Sequence, residues 1–204
     1  MNSKYMAATM LVAVAGSIAN AGTIDFSNPD LSAWTPDRFR PAIFETNTTR
    51  FAGNAVLKHG VRSADNQAAR NDLDPFHNNY QGMQIDVDSG ANAIGIDIFV
   101  DSLWTSGTRA GMWGVMNDGL GNSNSLTFPI LEYVVNGDNG DMAGPTFTGF
   151  RYWDSSFGWR GLAGTVGTDA WYTLGIELTA TDVIFSINGA DVATPLHRYA
   201  VEDL

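Results

Sequence analysis

Cysteine is absent from all 204 residues, which excludes disulfides, thiolate metal sites and thiol nucleophiles together. Histidine is nearly as scarce, with only His59, His77 and His197, and three scattered imidazoles without a thiol make a poor transition-metal centre. Basic side chains are few: 11 Lys and Arg against 22 Asp and Glu give a net charge of −11. A surface of that sign repels phosphate backbones and anionic lipid, which proteins bind through concentrated positive field, so nucleic acid is not an expected partner. Long apolar runs are missing except for residues 6–18, and about 13 residues fall short of the roughly 20 a membrane-spanning helix needs. A phosphate-cradling glycine loop and a Gly-x-Ser-x-Gly elbow are missing as well. No internal repeat or low-complexity tract interrupts the chain, and no cofactor is implied.

The one apolar run follows Lys4 and ends in Ala19-Asn20-Ala21, the small-x-small pattern that a signal peptidase accepts. Residues 1–21 are therefore expected to be a cleaved signal peptide of a bacterial protein, secreted to the extracellular space or the periplasm. Residues 22–204 are long enough for a single β-sandwich domain with a substantial core. Loss of Lys4 makes that domain more acidic, and no second apolar segment of spanning length follows. Residues 197–204 offer no convincing closing strand, which leaves a truncated C-terminus or a short final strand as alternatives.

After residue 22 helical periodicity is rare, and short β-rich runs recur between clusters of Gly, Asn, Asp and Ser. Strands are predicted over 23–26, 55–61, 83–87, 93–101, 109–116, 128–135, 148–154, 171–180 and 182–187. Ile94, Ile96, Ile98 and Val100 alternate with Gly95, Asp97, Phe99 and Asp101, which gives that strand one apolar face and one carboxylate-bearing face. Tyr172, Leu174, Ile176 and Leu178 alternate in the same way, and Val183, Phe185 and Ile187 follow a tight turn, which predicts a hairpin. Asn188-Gly189 and Asn136-Gly137-Asp138 are turns that tolerate positive φ. Residues 62–82 are polar and read as a surface excursion.

The hairpin sequence Trp171-Tyr172-Thr173-Leu174-Gly175-Ile176-Glu177-Leu178, then Val183-Ile184-Phe185-Ser186-Ile187-Asn188-Gly189 and Val192, resembles the late hairpin of concanavalin A-like and laminin-G-like jelly rolls. Asn79-Tyr80-Gln81-Gly82, Ile96-Asp97-Ile98-Phe99-Val100 and Ala110-Gly111-Met112-Trp113-Gly114 are similar to secreted bacterial members of that superfamily. The resemblance spans roughly residues 76–193. It implies an all-β, antiparallel, two-sheet jelly-roll sandwich, a fold that hosts lectins, glycoside hydrolases, polysaccharide lyases and adhesive domains alike.

Opposite-parity positions on the predicted strands collect Asp97 and Phe99, Arg109 and Trp113, Glu132, and Arg151 with Trp153. If those strands are neighbours, Asp97, Arg109, Trp113, Glu132, Arg151 and Trp153 form one open face suited to a polysaccharide or glycan partner. Rings stack on the C–H faces of pyranoses while charged groups bind hydroxyls directionally. Trp104, Tyr152 and Trp159 extend such a platform, although any single aromatic is more often core filling. A secreted carbohydrate-recognition domain is the expected function.

Two alternatives stand beside it. Catalysis needs a carboxyl pair about 5 to 10 Å apart for glycoside hydrolysis, and Glu132 with Asp97 is the candidate. The Glu-x-Asp-x-x-Glu strand of jelly-roll glucanases is absent, since Gln84-Ile85-Asp86-Val87-Asp88 begins with glutamine. A lyase would use His77 beside Asn78, Asn79, Tyr80 and Gln81, with Arg109 and Arg151 neutralising a uronate. The other alternative is a structural or adhesive extracellular domain without a sugar site. Asp138-Asn139-Gly140-Asp141 and Asp72-Leu73-Asp74 supply hard oxygen ligands, so a structural calcium held by Asp138 and Asp141 is the one metal these turns suggest. Asn47-Thr48-Thr49 fits a glycosylation acceptor.

Overall fold

The computed structural model describes residues 30–37, 39–51, 54–61, 81–87, 91–117, 125–137, 146–154, 157–162, 166–195 and 199–200. The expected signal peptide, the strand predicted at 23–26 and most of the polar excursion lie outside them. After a single 3-10 turn at Leu31–Ala33 come β1 (Thr35–Asp37), β2 (Ile43–Asn47), β3 (Val56–Gly60), β4 (Gly82–Gln84), β5 (Ala93–Val100), β6 (Arg109–Trp113) and β7 (Met116–Asn117). The later strands are β8 (Ser125–Thr127), β9 (Ile130–Gly137), β10 (Phe147–Asp154), β11 (Gly158–Gly161), β12 (Ala170–Leu178), β13 (Asp182–Ile187), β14 (Ala190–Pro195) and β15 (Tyr199–Ala200). The chain is all-β with antiparallel pairing throughout the described ladders, as its period-two sequence implies. Among the described residues no helix is long and apolar enough to cross a membrane.

Two four-stranded sheets carry the core, in the orders β14-β13-β12-β5 and β11-β10-β9-β6. Each is a three-stranded meander extended by one earlier strand, so β5 pairs with β12 and β6 with β9 across long stretches of sequence. Alternation decides what faces inward. On the first sheet Ile94, Ile98, Val100, Leu174, Ile176, Val183 and Phe185 are buried in one cluster with Ala110, Met112, Leu131, Tyr133 and Phe150 of the second. Rings bridge the layers: Phe150 meets Tyr172 edge-on at 5.0 Å, and Tyr152 stacks on Phe185 at 4.9 Å. Burial of this apolar surface is the main force holding the sheets together.

The turns follow local chemistry. Asn188 and Gly189 both take positive φ, 49° and 79°, which suits the right-handed twist of the β13–β14 hairpin. In the β12–β13 turn the Thr179 hydroxyl donates to the Asp182 carbonyl at 3.0 Å and accepts from the Asp182 amide at 2.9 Å. These bonds end β12 at Leu178, two residues before the predicted limit.

Elsewhere the sequence prediction needs correction. The single strand expected over 109–116 is two: β6 stops at Trp113, and Met116–Asn117 pairs with β8 in a separate three-stranded sheet. Strands β1, β2, β8, β11, β14 and β15 went unpredicted, because each is short, glycine-flanked or too polar to show alternation. Tyr199–Ala200 pairs with Leu126 and Ser125 as a two-residue strand that the sequence did not announce.

Candidate functional site

Of the six residues expected on one open face, Arg109, Trp113, Glu132, Arg151 and Trp153 do project from the same side of one sheet, the side of β6, β9 and β10 away from the core. Its middle is not open, whereas Arg109 and Trp153 are half-buried. Arg151 is 0% exposed, Glu132 4% and Trp113 9%. Arg151 and Glu132 are direct cross-strand partners, and both Nε and Nη2 of the guanidinium donate to Glu132 Oε1, at 2.8 and 2.6 Å. Trp159 lies over the guanidinium with its ring centroid 4.0 Å from Cζ, and Trp153 meets Trp159 edge-on at 5.3 Å. Trp113 packs against Phe128, Val115 and Ile130. This cluster is a packed ion pair under an aromatic cover.

Asp97 belongs elsewhere. It lies on β5, in the other sheet, and points away from the core between inward Ile96 and Ile98. The proposed catalytic pair is thereby separated: Asp97 and Glu132 stand on outer sides of opposite sheets with the core between them, and share no groove. The three residues expected to extend the platform are also used otherwise. Trp104 is buried beside Tyr133 at 5.7 Å, Tyr152 faces inward against Phe185, and Trp159 covers Arg151. His77, Asp72, Asp74, Asp138 and Asp141 lie outside the described residues. Among the described residues no three His, Asp or Glu side chains gather as metal ligands do.

The outer side of the β14-β13-β12-β5 sheet is the open one. Its outward rungs along the β5–β12 ladder run Phe99 opposite Trp171, Asp97 opposite Thr173, Gly95 opposite Gly175 and Ala93 opposite Glu177. Successive rungs on one side stand about 7 Å apart. The first rung is aromatic, the second is polar and tied by a 2.6 Å bond from the Thr173 hydroxyl to Asp97 Oδ1, and the third has no side chain at all. Two rungs from this aromatic ledge Gly95 is exposed, while the hydroxyl of Ser186, the β13 partner of Gly175, leans over that glycine.

A third ring completes the ledge. Phe51 lies 4.8 Å from Phe99 and 5.0 Å from Trp171, while Phe99 and Trp171 are 5.5 Å apart. Trp171 is 45% exposed, too much for a core residue of its size. Phe51 reaches the ledge through the turn after β2, where Asn47 Oδ1 accepts from the amides of Thr49 and Arg50 at 3.1 and 3.0 Å. Sequence reading missed Phe51 and Trp171 because the turn brings in one, and the apolar stripe of β12 drew attention from the other.

Arg50 Cζ sits 5.6 Å from the Phe51 ring and 5.2 Å from Phe99, and its Nη2 pairs with Asp101 Oδ2 at 2.6 Å. Beside it the Asp169 carboxylate accepts from the Ser102 amide at 3.1 Å and hydroxyl at 2.9 Å. Those bonds hold Asp169 below the ordinary carboxylate range, with Arg50 adding in the same direction. The ledge thus has one exposed ring backed by two half-buried ones, neighbouring carboxylates, and one arginine already committed to its own partners. Comparison with family models, with curated proteins and with solved structures finds no match for this chain.

Proposed function

We propose that this chain is an exported carbohydrate-recognition domain of jelly-roll type, binding a polysaccharide across the outer side of the β14-β13-β12-β5 sheet. The observation that carries this reading is the Phe51, Phe99 and Trp171 ledge, in which Trp171 is exposed and the two phenylalanines are half-buried, together with the exposed Gly95 two rungs away. The exposed Trp171 ring invites stacking on the apolar face of a sugar ring, and the exposed Gly95 admits a chain close to the backbone of β5. Between the two, Asp97 and Thr173 supply fixed acceptors for sugar hydroxyls, the Thr173 proton being held by Asp97. The export pattern at residues 1–21 and the late-hairpin resemblance support the same reading.

Recognition fits this face better than cleavage. The Asp97 and Glu177 rungs stand about 14 Å apart along the ladder, beyond the roughly 5 to 10 Å of a hydrolytic carboxyl pair. Truncating the ledge tests the proposal. Trp171→Ala is expected to weaken retention on insoluble or soluble polysaccharide about tenfold or more, as loss of a central aromatic anchor does, while the exposed position leaves thermal stability nearly unchanged. Affinity electrophoresis across a polysaccharide panel reads both arms. Unaltered retention by the variant, or no retention of the parent on any sugar, removes the reading.

A further inference from the structure

The two sheets divide charge unequally. Strands β5, β12, β13 and β14 carry Asp97, Glu177, Asp182 and Asp191 and no lysine or arginine. Strands β6, β9, β10 and β11 carry Arg109, Arg151 and Arg160 against Glu132 and Asp154, one net positive charge. Asp97, Glu177 and Asp191 are exposed, and Asp169 adds one more carboxylate at the ledge, where the buried Asp101 is neutralised by Arg50. Arg50, the cation held there, is paired with Asp101 and lies over two rings, so a ligand anion gains little from it.

From this division we infer that the face selects its glycan by charge: it takes an amino-sugar chain with free ammonium groups in preference to a neutral chain, and rejects chains bearing uronate or sulfate. The inference rests on the glycan-binding reading given above. Its physical basis is twofold. Ammonium groups lying along the β5–β12 strip pair with Asp97 and Glu177, and one at the ledge meets the negative face of the exposed Trp171 ring, as Arg50 already lies over Phe51 and Phe99. A carboxylate-bearing sugar at the same positions meets like charge and no available guanidinium, an arrangement that excludes by repulsion rather than by shape.

Three oligomers of one length and linkage, built from glucosamine, glucose and glucuronate, are titrated calorimetrically at low and at high salt. The glucosamine oligomer is expected to bind about tenfold more tightly than the glucose oligomer at low salt, since several exposed charge pairs each contribute modestly. That advantage should shrink toward equality at high salt as screening removes it. The glucuronate oligomer should show no binding. In Asp97→Asn with Glu177→Gln, the amine and neutral oligomers should fall within about threefold of each other. Equal amine and neutral affinities at low salt, or uronate binding as tight as neutral, overturn the charge selection while leaving sugar recognition standing. Binding of none of the three overturns both.

Discussion

Replacing Arg151 with methionine is expected to destabilise the fold by about 3 to 5 kcal/mol, the largest effect of any single change on the β6-β9-β10-β11 sheet. The reason is desolvation. Arg151 and Glu132 are almost wholly removed from water, and each donor of the guanidinium that reaches Glu132 converges on the same oxygen. Taking away the cation leaves a carboxylate in a low-dielectric setting with its main counter-charge gone, and Trp159 loses the cation beneath its ring. Urea unfolding should show a midpoint shift with an unchanged slope, which marks lost stability rather than a changed unfolded state.

The companion variant separates the pair's geometry from its charge. Arg151→Met together with Glu132→Leu removes both ions and replaces them with apolar groups of similar bulk, and it should recover most of the loss. A single variant costing under about 1 kcal/mol would show that water reaches Glu132. The cluster would then be an accessible site after all, as sequence reasoning first expected.

Acidification is expected to remove about 3 kcal/mol of stability through one side chain, His59. It is 2% exposed and held at the end of β3, where Nε2–H donates to the Gln81 carbonyl at 2.8 Å. Nδ1 has no hydrogen-bond partner among the described residues, and the Phe44 ring meets the imidazole edge-on at 6.0 Å. Burial lowers its pKa from 6.5 to about 4, against the smaller opposing pull of the Gln81 carbonyl. Between those two values the unfolded chain binds a proton that the folded chain refuses. Stability is therefore complete above pH 6.5, falls as the pH drops through the window, and stops falling from this source near pH 4.

The test is a difference. Stability measured by denaturant unfolding from pH 7.5 to 4 should fall more steeply in the parent than in His59→Gln, by about one proton's worth of slope. The glutamine amide can still donate to the Gln81 carbonyl, so the variant should remain folded at neutral pH, and carboxylates elsewhere titrate equally in both proteins and cancel. Parallel curves would mean that His59 charges in place, with a solvated Nδ1.

How much of this was legible in the sequence follows from what alternation encodes. Period two on Ile94, Ile98 and Val100, and on Leu174 and Ile176, placed inward and outward sides correctly, the short turn after β12 placed the β12–β13 hairpin, and Asn188-Gly189 placed a turn, because these signals are local. Alternation does not state which strands are neighbours. Asp97 was grouped with Glu132 and Arg151 on parity alone, whereas β5 pairs with β12, 70 or more residues later in the chain, and β9 pairs with β6 and β10. Nor does parity reveal burial on a sheet's outer side: Arg151 and Glu132 neutralise each other across one rung, and that is what allows two charged side chains to leave water there. The ledge was half visible, in Phe99. Its other members required knowing that the Asn47 turn folds Phe51 back onto a rung whose opposite residue is Trp171.

The sharpest check on this account is a residue-by-residue map of where a sugar lands. Backbone amide shifts of the labelled protein, followed by NMR while an oligosaccharide retained in the panel is added, should move at residues 50–51, 95–101 and 169–177, and stay still on β9 and β10. Shifts gathered instead around Arg151, Trp153 and Trp159, with Phe99 and Trp171 silent, would place binding on the opposite sheet and contradict the proposed ledge.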